Sequence, residues 1–538
     1  MAYKKKVDYT LYLVTDSTML PPGTTLRSQV LAGLENGVTL VQLREKETET
    51  ATFVKEALEI KEICAQFDVP LIINDRVDVA MAIDADGVHV GQSDMPIPMV
   101  RKLLGPDKII GWSVGHVHEV ETLSAWGPEY VDYIGIGMVF PTNTKKNPKK
   151  SPMGPQGVIR ILDALENNGA SWCRTICIGG LHPVNIPRVL YQCSSTNGKR
   201  SVDGISVVSD IMASSEAGRA TKNLRELLAV EGYHFIPGTL SSNSEITTDE
   251  MAQFIKTTEH KSPLVQHITN KVHQNFGANI TLALGSSPIM SEVVSEFREL
   301  SQIPNATLLM NTGSVAPLEA LVDAISAYNE SRRPIVFDPV GYSATEARLN
   351  LNNHLLTYGQ FACIKGNEGE ILSMAQLNTG KMKGVDSGAH GANFSSIVQA
   401  TRIVAFKYRT IAVCTGKTDV IVDGTLNGKF SLTSGAGLTA EELPCYTVDN
   451  GDMPIMGRIT ASGCSLGSTI ACMVGGVADQ ACVFHAVVTA VALYKSAGKQ
   501  ASSRCKGSGS FQVELIDALY QLFTDNNPSE WTAEVKRI

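Results

Sequence analysis

Eight short β-rich segments recur between residues 9 and 208 with helix-like stretches between them, and this alternation constrains the first part of the chain more than any other feature. They run over 9–14, 38–43, 71–73, 87–90, 109–112, 130–136, 175–178 and 204–207. The connecting stretch 50–67 sets Phe53, Ala57, Ile60 and Cys64 at helical spacing, with charged residues on the outer face. A βαβα rhythm implies parallel strands joined by crossover helices rather than a meander. Eight such units in about 220 residues predict a closed (β/α)8 TIM barrel.

Periodicity fails in the run Tyr233-His234-Phe235-Ile236-Pro237-Gly238-Thr239-Leu240-Ser241-Ser242-Asn243-Ser244, a polar tether with Pro and Gly. The expected division is a barrel over 1–235, a linker over 236–249 and a second unit over 250–538. A chain of 538 residues has room for two large α/β units. The rhythm restarts with strands expected at 306–310, 334–337, 361–365, 410–414 and 420–423, and helices at 318–328 and 396–406. Apolar, Ala-rich helices are expected at 463–477 and 481–496. This half reads as an open, mostly parallel α/β sheet.

The 46 basic and 54 acidic residues leave a formal charge of −8, which offers no overall attraction to nucleic acid or an anionic membrane. Any phosphate must be held locally. No run of about 18 apolar residues and no signal-type segment is present, so a cytoplasmic protein with small-molecule substrates is expected. The 11 cysteines show no CxxC and no zinc spacing, and reduced core thiols are expected for all but Cys464.

Polar groups gather where each predicted barrel strand stops. Each alone could be a turn residue; together, on one rim, they suit chemistry. In the run QLREK, the period of two puts Gln42, Arg44 and Lys46 on one face of a strand and its continuation. A phosphate is the natural ligand for paired Arg and Lys, and a structural ion-pair set with neighbouring Glu residues is the alternative. Asp75 and Asp94, at successive strand ends, suit Mg2+, which takes one or two carboxylates plus phosphate oxygens and water. The run PTNTKK and the loops after the seventh and eighth strands add further phosphate-binding groups. His89, His116 and His118 have no metal spacing and read as structural.

These segments resemble thiamine phosphate synthase over nearly all of residues 8–230, through QLREK (42–46), NDRVDVAMAIDADGVHVGQSDM (74–95) and PTNTKK (141–146). The resemblance implies that Gln42, Asn74 and Ser113 contact an aminopyrimidine diphosphate, with Arg44, Lys46 and Lys145 on its pyrophosphate. It implies Mg2+ on Asp75 and Asp94, and Thr142, Thr144, Gly180, Val208 and Ser209 facing a thiazole phosphate.

In the second half, RITASGCSLG (458–467) is a small-residue turn opening into an apolar helix. Free amides and the helix dipole there would form an anion hole, in which a thiolate at Cys464 would be favoured. Close packing of a small-residue helix start is the alternative. Asp338 ends one predicted strand, and Lys365, Asn367 and Glu370 follow another, all suited to Mg2+ and ATP phosphates. Thr415-Gly416-Lys417-Thr418-Asp419 follows a third strand and could bind nucleotide. Neither a P-loop nor a protein-kinase signature is present.

This half resembles hydroxyethylthiazole kinase, with a ribokinase-like α/β fold, over about residues 250–530. The runs that carry it are QHITN (266–270), LGSSPIM (284–290), DPVG (338–341), KGNEGE (365–370), KGVDSG (383–388) and GSFQ (509–512). The resemblance implies Asn270 and Met290 in a thiazole pocket, with Ala461 and Gly463 shaping the substrate side of the anion hole. It implies Lys365, Asn367 and Thr415 on ATP, Asp338 and Glu370 at Mg2+, and Cys464 as the catalytic cysteine. TASGC stands where bacterial relatives tend to have TGAGC, and 438–452 reads as an extra loop. A trimeric kinase, and hence a homo-oligomer built on trimers up to a hexamer, is also implied.

Together the halves would make a bifunctional thiamine-biosynthetic enzyme, the kinase supplying the thiazole phosphate that the synthase consumes. Two rivals stand beside it: a half that keeps its pocket without turnover, and a pyrimidine kinase fused to another phosphate-binding barrel.

Overall fold

Parallel pairing of the eight predicted strands closes the first unit into a barrel. In the computed structural model, which describes residues 7–142, 152–229, 244–314, 316–377, 393–425, 439–477 and 482–538, two compact units are present. The barrel strands are β1 (Leu11–Val14), β2 (Leu40–Leu43), β3 (Leu71–Asn74), β4 (Gly87–Val90), β5 (Ile109–Val114), β6 (Tyr133–Gly137), β7 (Arg174–Ile178) and β8 (Gly204–Val207). β8 pairs back onto β1 through Leu11 with Ile205 and Leu13 with Val207.

Strand alternation sorts the side chains into two layers. Leu11, Leu13, Val41, Leu43, Val88 and Val90 face the surrounding helices, while Tyr9, Tyr12, Val14, Leu40, Ile72, Ile109, Tyr133 and Ile176 form a separate interior cluster. The helix Thr50–Gln66 buries Phe53, Ala57, Ile60 and Cys64, the face its periodicity predicts. Because every strand runs the same way, all eight C-terminal ends lie on one rim.

The second unit is one sheet in the order β10-β9-β11-β12-β13-β14-β15-β16-β17. Its strands are β9 (Leu264–Ile268), β10 (Ser287–Ile289), β11 (Thr307–Asn311), β12 (Ile335–Asp338), β13 (Cys363–Asn367), β14 (Ile411–Thr415), β15 (Thr418–Asp423), β16 (Cys445–Asp449) and β17 (Glu534–Arg537). Pairing is parallel from β10 to β14 and antiparallel from β14 to β17. The chain leaves β9 to one side for β10 and to the other for β11, which makes a crevice at their C-terminal ends, where open sheets bind ligands.

Several expectations need correction. The segment read as an extra loop over 438–452 contains the helical turn Ala440–Glu442 and β16, an interior strand between β15 and β17. Strands β9, β10 and β17 and the helix Ser508–Asp525 were not expected. The apolar helix expected at 481–496 runs over Val483–Arg504, and Ala481 lies outside the described residues. The tether lies outside them as far as residue 243. From there Ile246 donates its N–H to the Tyr446 hydroxyl at 2.9 Å, and Thr247 caps the helix Thr248–Lys261, so these residues pack with the second unit.

Candidate active sites

On the barrel rim, Gln42 points inward from β2, and Arg44 and Lys46 follow after the strand has ended. Alternation therefore places only the first of the three; the other two are placed by their partners. Arg44 reaches Asp16 beyond β1 at 3.3 Å, and Lys46 reaches Asp75 beyond β3 at 3.3 Å. The partners are aspartates on neighbouring strand ends, whereas Glu45 accepts from Thr15 Oγ1 and the Ser17 N–H.

Asp75 sits at φ 60°, in the left-handed region that costs a non-glycine residue about 1 kcal/mol or more. Its pKa is raised, by burial first and then by the neighbouring Asp94 carboxylate, with Lys46 pulling the other way. Asp94 Oδ2 accepts the Gly91 N–H at 2.7 Å. Two carboxylates pressed together beside one lysine fit a divalent cation. Among the described residues no group of three or more His, Cys, Asp or Glu forms a metal cluster, so such an ion would rest on this pair and on ligand oxygens.

Asn74 ends β3, and Ser113 lies on β5 beside the barrel interior. Gly180, at φ 63°, has no room for a side chain, because a Cβ there would strike the Pro141 and Phe140 carbonyls. The loops after β6 and β7 thus touch, bringing Thr142 near Gly180. Val208 and Ser209 lead from β8 into the short helix Ser209–Met212. Thr144 and Lys145 lie outside the described residues. His89, read as structural, stands inside the barrel and hydrogen-bonds Ser113 Oγ at 3.0 Å.

In the second unit the crevice collects Asn270 after β9, Asn311 at the end of β11, Asp338 at the end of β12 and Lys365 on β13. Asn311 Nδ2 donates to Asp338 Oδ2 at 2.7 Å, and Lys365 Nζ lies 3.2 Å from Asp338 Oδ1. Burial works against the Lys365 charge, but Asp338, Cys464 and Glu370 together hold its pKa above the usual lysine value. Burial raises Asp338 and the lysine opposes that.

Glu370 is pushed up to about 7, by burial first and then by the Asp338 charge. Its two oxygens accept backbone N–H groups of Gly341 and Asn367, both at 2.7 Å, so it ties the DPVG loop to the start of the helix Glu368–Met374. Asn367 caps that helix. Thr415 ends β14 beside Gly366, 3.3 Å from its carbonyl. Lys495, which the sequence did not single out, holds the following turn by donating to the Gly416 and Lys417 carbonyls at 3.0 and 2.7 Å and by pairing with Asp419.

The helix Ser462–Val477 starts at the same crevice, with Gly463 giving its carbonyl to Lys365 Nζ at 3.0 Å. The helix end faces the acid and the lysine, and Gly467, Gly475 and Gly476 also let the helix lie against Leu309, Thr307 and Thr258. Cys464 Sγ receives N–H groups from Asn311 at 3.2 Å and Asn270 at 3.4 Å. The expected thiolate is not favoured: burial, then the Asp338 carboxylate, pushes the thiol up to about 11. Met290 follows β10, half-buried. The run 383–388 lies outside the described residues.

Ala461 stands at φ 63° immediately before the helix, where glycine is free of strain. Ala461→Gly should therefore relieve about 1–2 kcal/mol of left-handed strain against about 0.5–1 kcal/mol of added chain entropy. A net gain of about 0.5–1 kcal/mol, seen as a thermal midpoint of the second unit raised by about 2 °C, is expected. A lower midpoint would show that the alanine methyl makes a contact worth more than the strain.

Two α/β units, each gathering cations and carboxylates at the C-terminal ends of parallel strands, are of the class that suits enzymes of phosphorylated small molecules. Residues 11–211 match the thiamine monophosphate synthase family model, and residues 255–525 match that of the hydroxyethylthiazole kinase family. The chain is 68% identical over 535 residues to the thiamine biosynthetic bifunctional enzyme of Saccharomyces cerevisiae, covering 99% of each chain. It is 38% identical to the probable thiamine biosynthetic bifunctional enzyme of Schizosaccharomyces pombe, covering 97% of this chain and 96% of that one. A solved hydroxyethylthiazole kinase from Pyrococcus horikoshii is 27% identical, covering 54% of this chain and 99% of that one at a TM-score of 0.44. The chain belongs to the family of thiamine biosynthetic bifunctional enzymes, with a thiamine phosphate synthase region followed by a hydroxyethylthiazole kinase region. Among the described residues no helix is long and apolar enough to cross a membrane.

Proposed function

We propose that the second unit moves the γ-phosphoryl group of ATP to the hydroxyl of 4-methyl-5-(2-hydroxyethyl)thiazole. The first unit then joins that thiazole phosphate to 4-amino-2-methyl-5-hydroxymethylpyrimidine diphosphate, giving thiamine phosphate and pyrophosphate. One observation carries this reading: both family matches lie in order on one chain that parallels a bifunctional relative end to end.

In the first unit Arg44 and Lys46 exchange Asp16 and Asp75 for diphosphate oxygens, with Lys145 as a third cation. Gln42, Asn74 and Ser113 hold the pyrimidine, and Thr142, Thr144, Gly180, Val208 and Ser209 hold the thiazole phosphate. The methylene–oxygen bond breaks with its electron pair leaving on pyrophosphate, and the thiazole nitrogen lone pair makes the new C–N bond. The cations stabilise the leaving charge, and no protein base is required. Asp75 and Asp94 in the first unit, and Asp338 and Glu370 in the second, would hold Mg2+, which would supply neutralisation of phosphate charge.

In the second unit Asn270, Met290, Ala461 and Gly463 line the thiazole pocket, and Lys365, Asn367 and Thr415 bind ATP. Cys464, a thiol rather than a thiolate, orients the substrate hydroxyl; a weak base suffices where the transition state is loose. The kinase unit assembles in a trimer-based homo-oligomer in the cytoplasm. Exposed Val272, Val293, Val294 and Leu318, in the segments that follow β9, β10 and β11, support an interface beside the site.

The test is the wild-type protein given ATP, Mg2+, the thiazole alcohol and the pyrimidine diphosphate, with products followed by mass. Wild type should form thiamine phosphate. Cys464→Ala should do so at normal rate only when thiazole phosphate is added, and Asp94→Ala should fail by at least about a hundredfold either way. A wild type that makes no thiamine phosphate even from added thiazole phosphate removes the synthase half of the reading.

A further inference from the structure

Five polar side chains from five strands form a continuous hydrogen-bonded chain through the barrel interior. Gln42 Nε2 donates to the Tyr12 hydroxyl at 2.7 Å, and the Tyr12 and Tyr133 hydroxyls are 2.7 Å apart. The Tyr133 hydroxyl lies 3.0 Å from His89 Nδ1, and His89 Nε2 lies 3.0 Å from Ser113 Oγ. Gln42, Tyr12 and Tyr133 are buried to within 4% of full enclosure, so their protons have little access to water.

The chain is housed by missing side chains. A Cβ on Gly111 would collide with the Tyr133 ring and come within 2.5 Å of His89 Nδ1, and one on Gly135 would lie 3.2 Å from the imidazole. The rings pack as a unit, with His89 and Tyr133 centroids 5.5 Å apart and Tyr12 edge-on to Tyr133 at 5.9 Å.

Proton counting gives the chain a direction. Each phenol has one proton, and Tyr12 already accepts from the Gln42 amide, so its own proton goes to Tyr133. The Tyr133 proton then goes to His89 Nδ1, which must be bare. The imidazole proton therefore sits on Nε2 and is given to Ser113 Oγ. That leaves the serine proton pointing onward. With the Gln42 amide nitrogen facing Tyr12, the reverse direction would leave the Tyr12 proton without an acceptor.

We propose that Tyr12, Tyr133 and His89 are positioning residues of the synthase site, a one-way hydrogen-bond chain that fixes Ser113 as a donor to a ring nitrogen of the bound aminopyrimidine. This rests on the synthase reading above. A ring nitrogen offers a lone pair and no proton, so a serine locked as donor accepts one orientation of the ring and penalises the flipped one that presents the amino group.

Two measurements test this. In wild-type protein with 15N-labelled imidazoles, the His89 resonances, identified by their loss in His89→Gln, should show a protonated Nε2 and a bare Nδ1. Tyr133→Phe should lower synthase kcat/KM for the pyrimidine diphosphate by about tenfold. In a Ser113→Ala background it should cost nothing further, because the two residues act through one bond. A cooperative thermal transition of the first unit, retained in Tyr133→Phe, reports a folded barrel. A proton on Nδ1, or an equal loss from Tyr133→Phe with and without Ser113, would overturn the inference while the synthase reading stands. A wild type without synthase turnover would overturn that reading, and this proposal with it.

Discussion

Lys365→Met is expected to abolish phosphoryl transfer and to destabilise the second unit by about 3–5 kcal/mol, the cost of leaving one member of a buried ion pair alone. Lys365 and Asp338 are only 4% and 1% exposed and stand 3.2 Å apart, so water cannot take over the lost partner. The lysine also holds the Gly463 carbonyl, and its loss frees the start of the helix Ser462–Val477 from β13. Adding Asp338→Asn should recover most of the stability and none of the turnover, since neither charge is then buried alone. Denaturant unfolding and a kinase assay on the three proteins check this. Equal stability of the single variant and wild type would mean that Asp338 is content without a cation, and that the pair does not organise the site.

Gly204→Ala is expected to open the barrel, with a loss of more than about 3 kcal/mol in the first unit and disappearance of synthase turnover. A Cβ on Gly204 would overlap the backbone carbonyl of Tyr9, at the seam where β8 closes against β1. Flexible side chains can step aside from such a contact, but a backbone carbonyl next to the Thr10 carbonyl that accepts the Ile205 N–H cannot. Kinase turnover should persist and serves as the internal control. A variant that keeps wild-type synthase activity would show that the seam tolerates a local shift of β1.

The barrel was legible because its strands are buried on both faces and separated by amphipathic helices, so each announces itself as a short apolar run. Five polar groups stand out for a related reason: Arg44, Lys46, Asn74, Asp75 and Asp94 come where an apolar run stops, whereas Gln42 lies inside β2 and only alternation places it. In the second unit β16 was hidden although Cys445-Tyr446-Thr447-Val448 is rich in strand formers. It lies between Pro444 and Asn450-Gly451, and turn signals at both ends made the segment read as a loop. β17 is a short, mostly exposed edge strand whose charges, Glu534, Lys536 and Arg537, mask its pairing with β16.

Asn311 and Lys495 show the other kind of failure. Asn311 ends an apolar strand as Asp338 does, and that position was a usable signal. Lys495, however, sits mid-helix in an apolar stretch, and nothing local says that its ammonium will meet the turn after β14. The thiol of Cys464 was misjudged for a similar reason. The helix start was visible, but burial and the Asp338 carboxylate, distant in sequence, outweigh its field.

What the sequence determined by itself is therefore the pair of folds and which polar residues stand near the strand ends, because periodicity and polar strand termini are local properties. Only the tertiary structure decided which groups meet and how deeply each is buried. Those depend on distances between strands and on exclusion of water, and both come into being only when the sheets close.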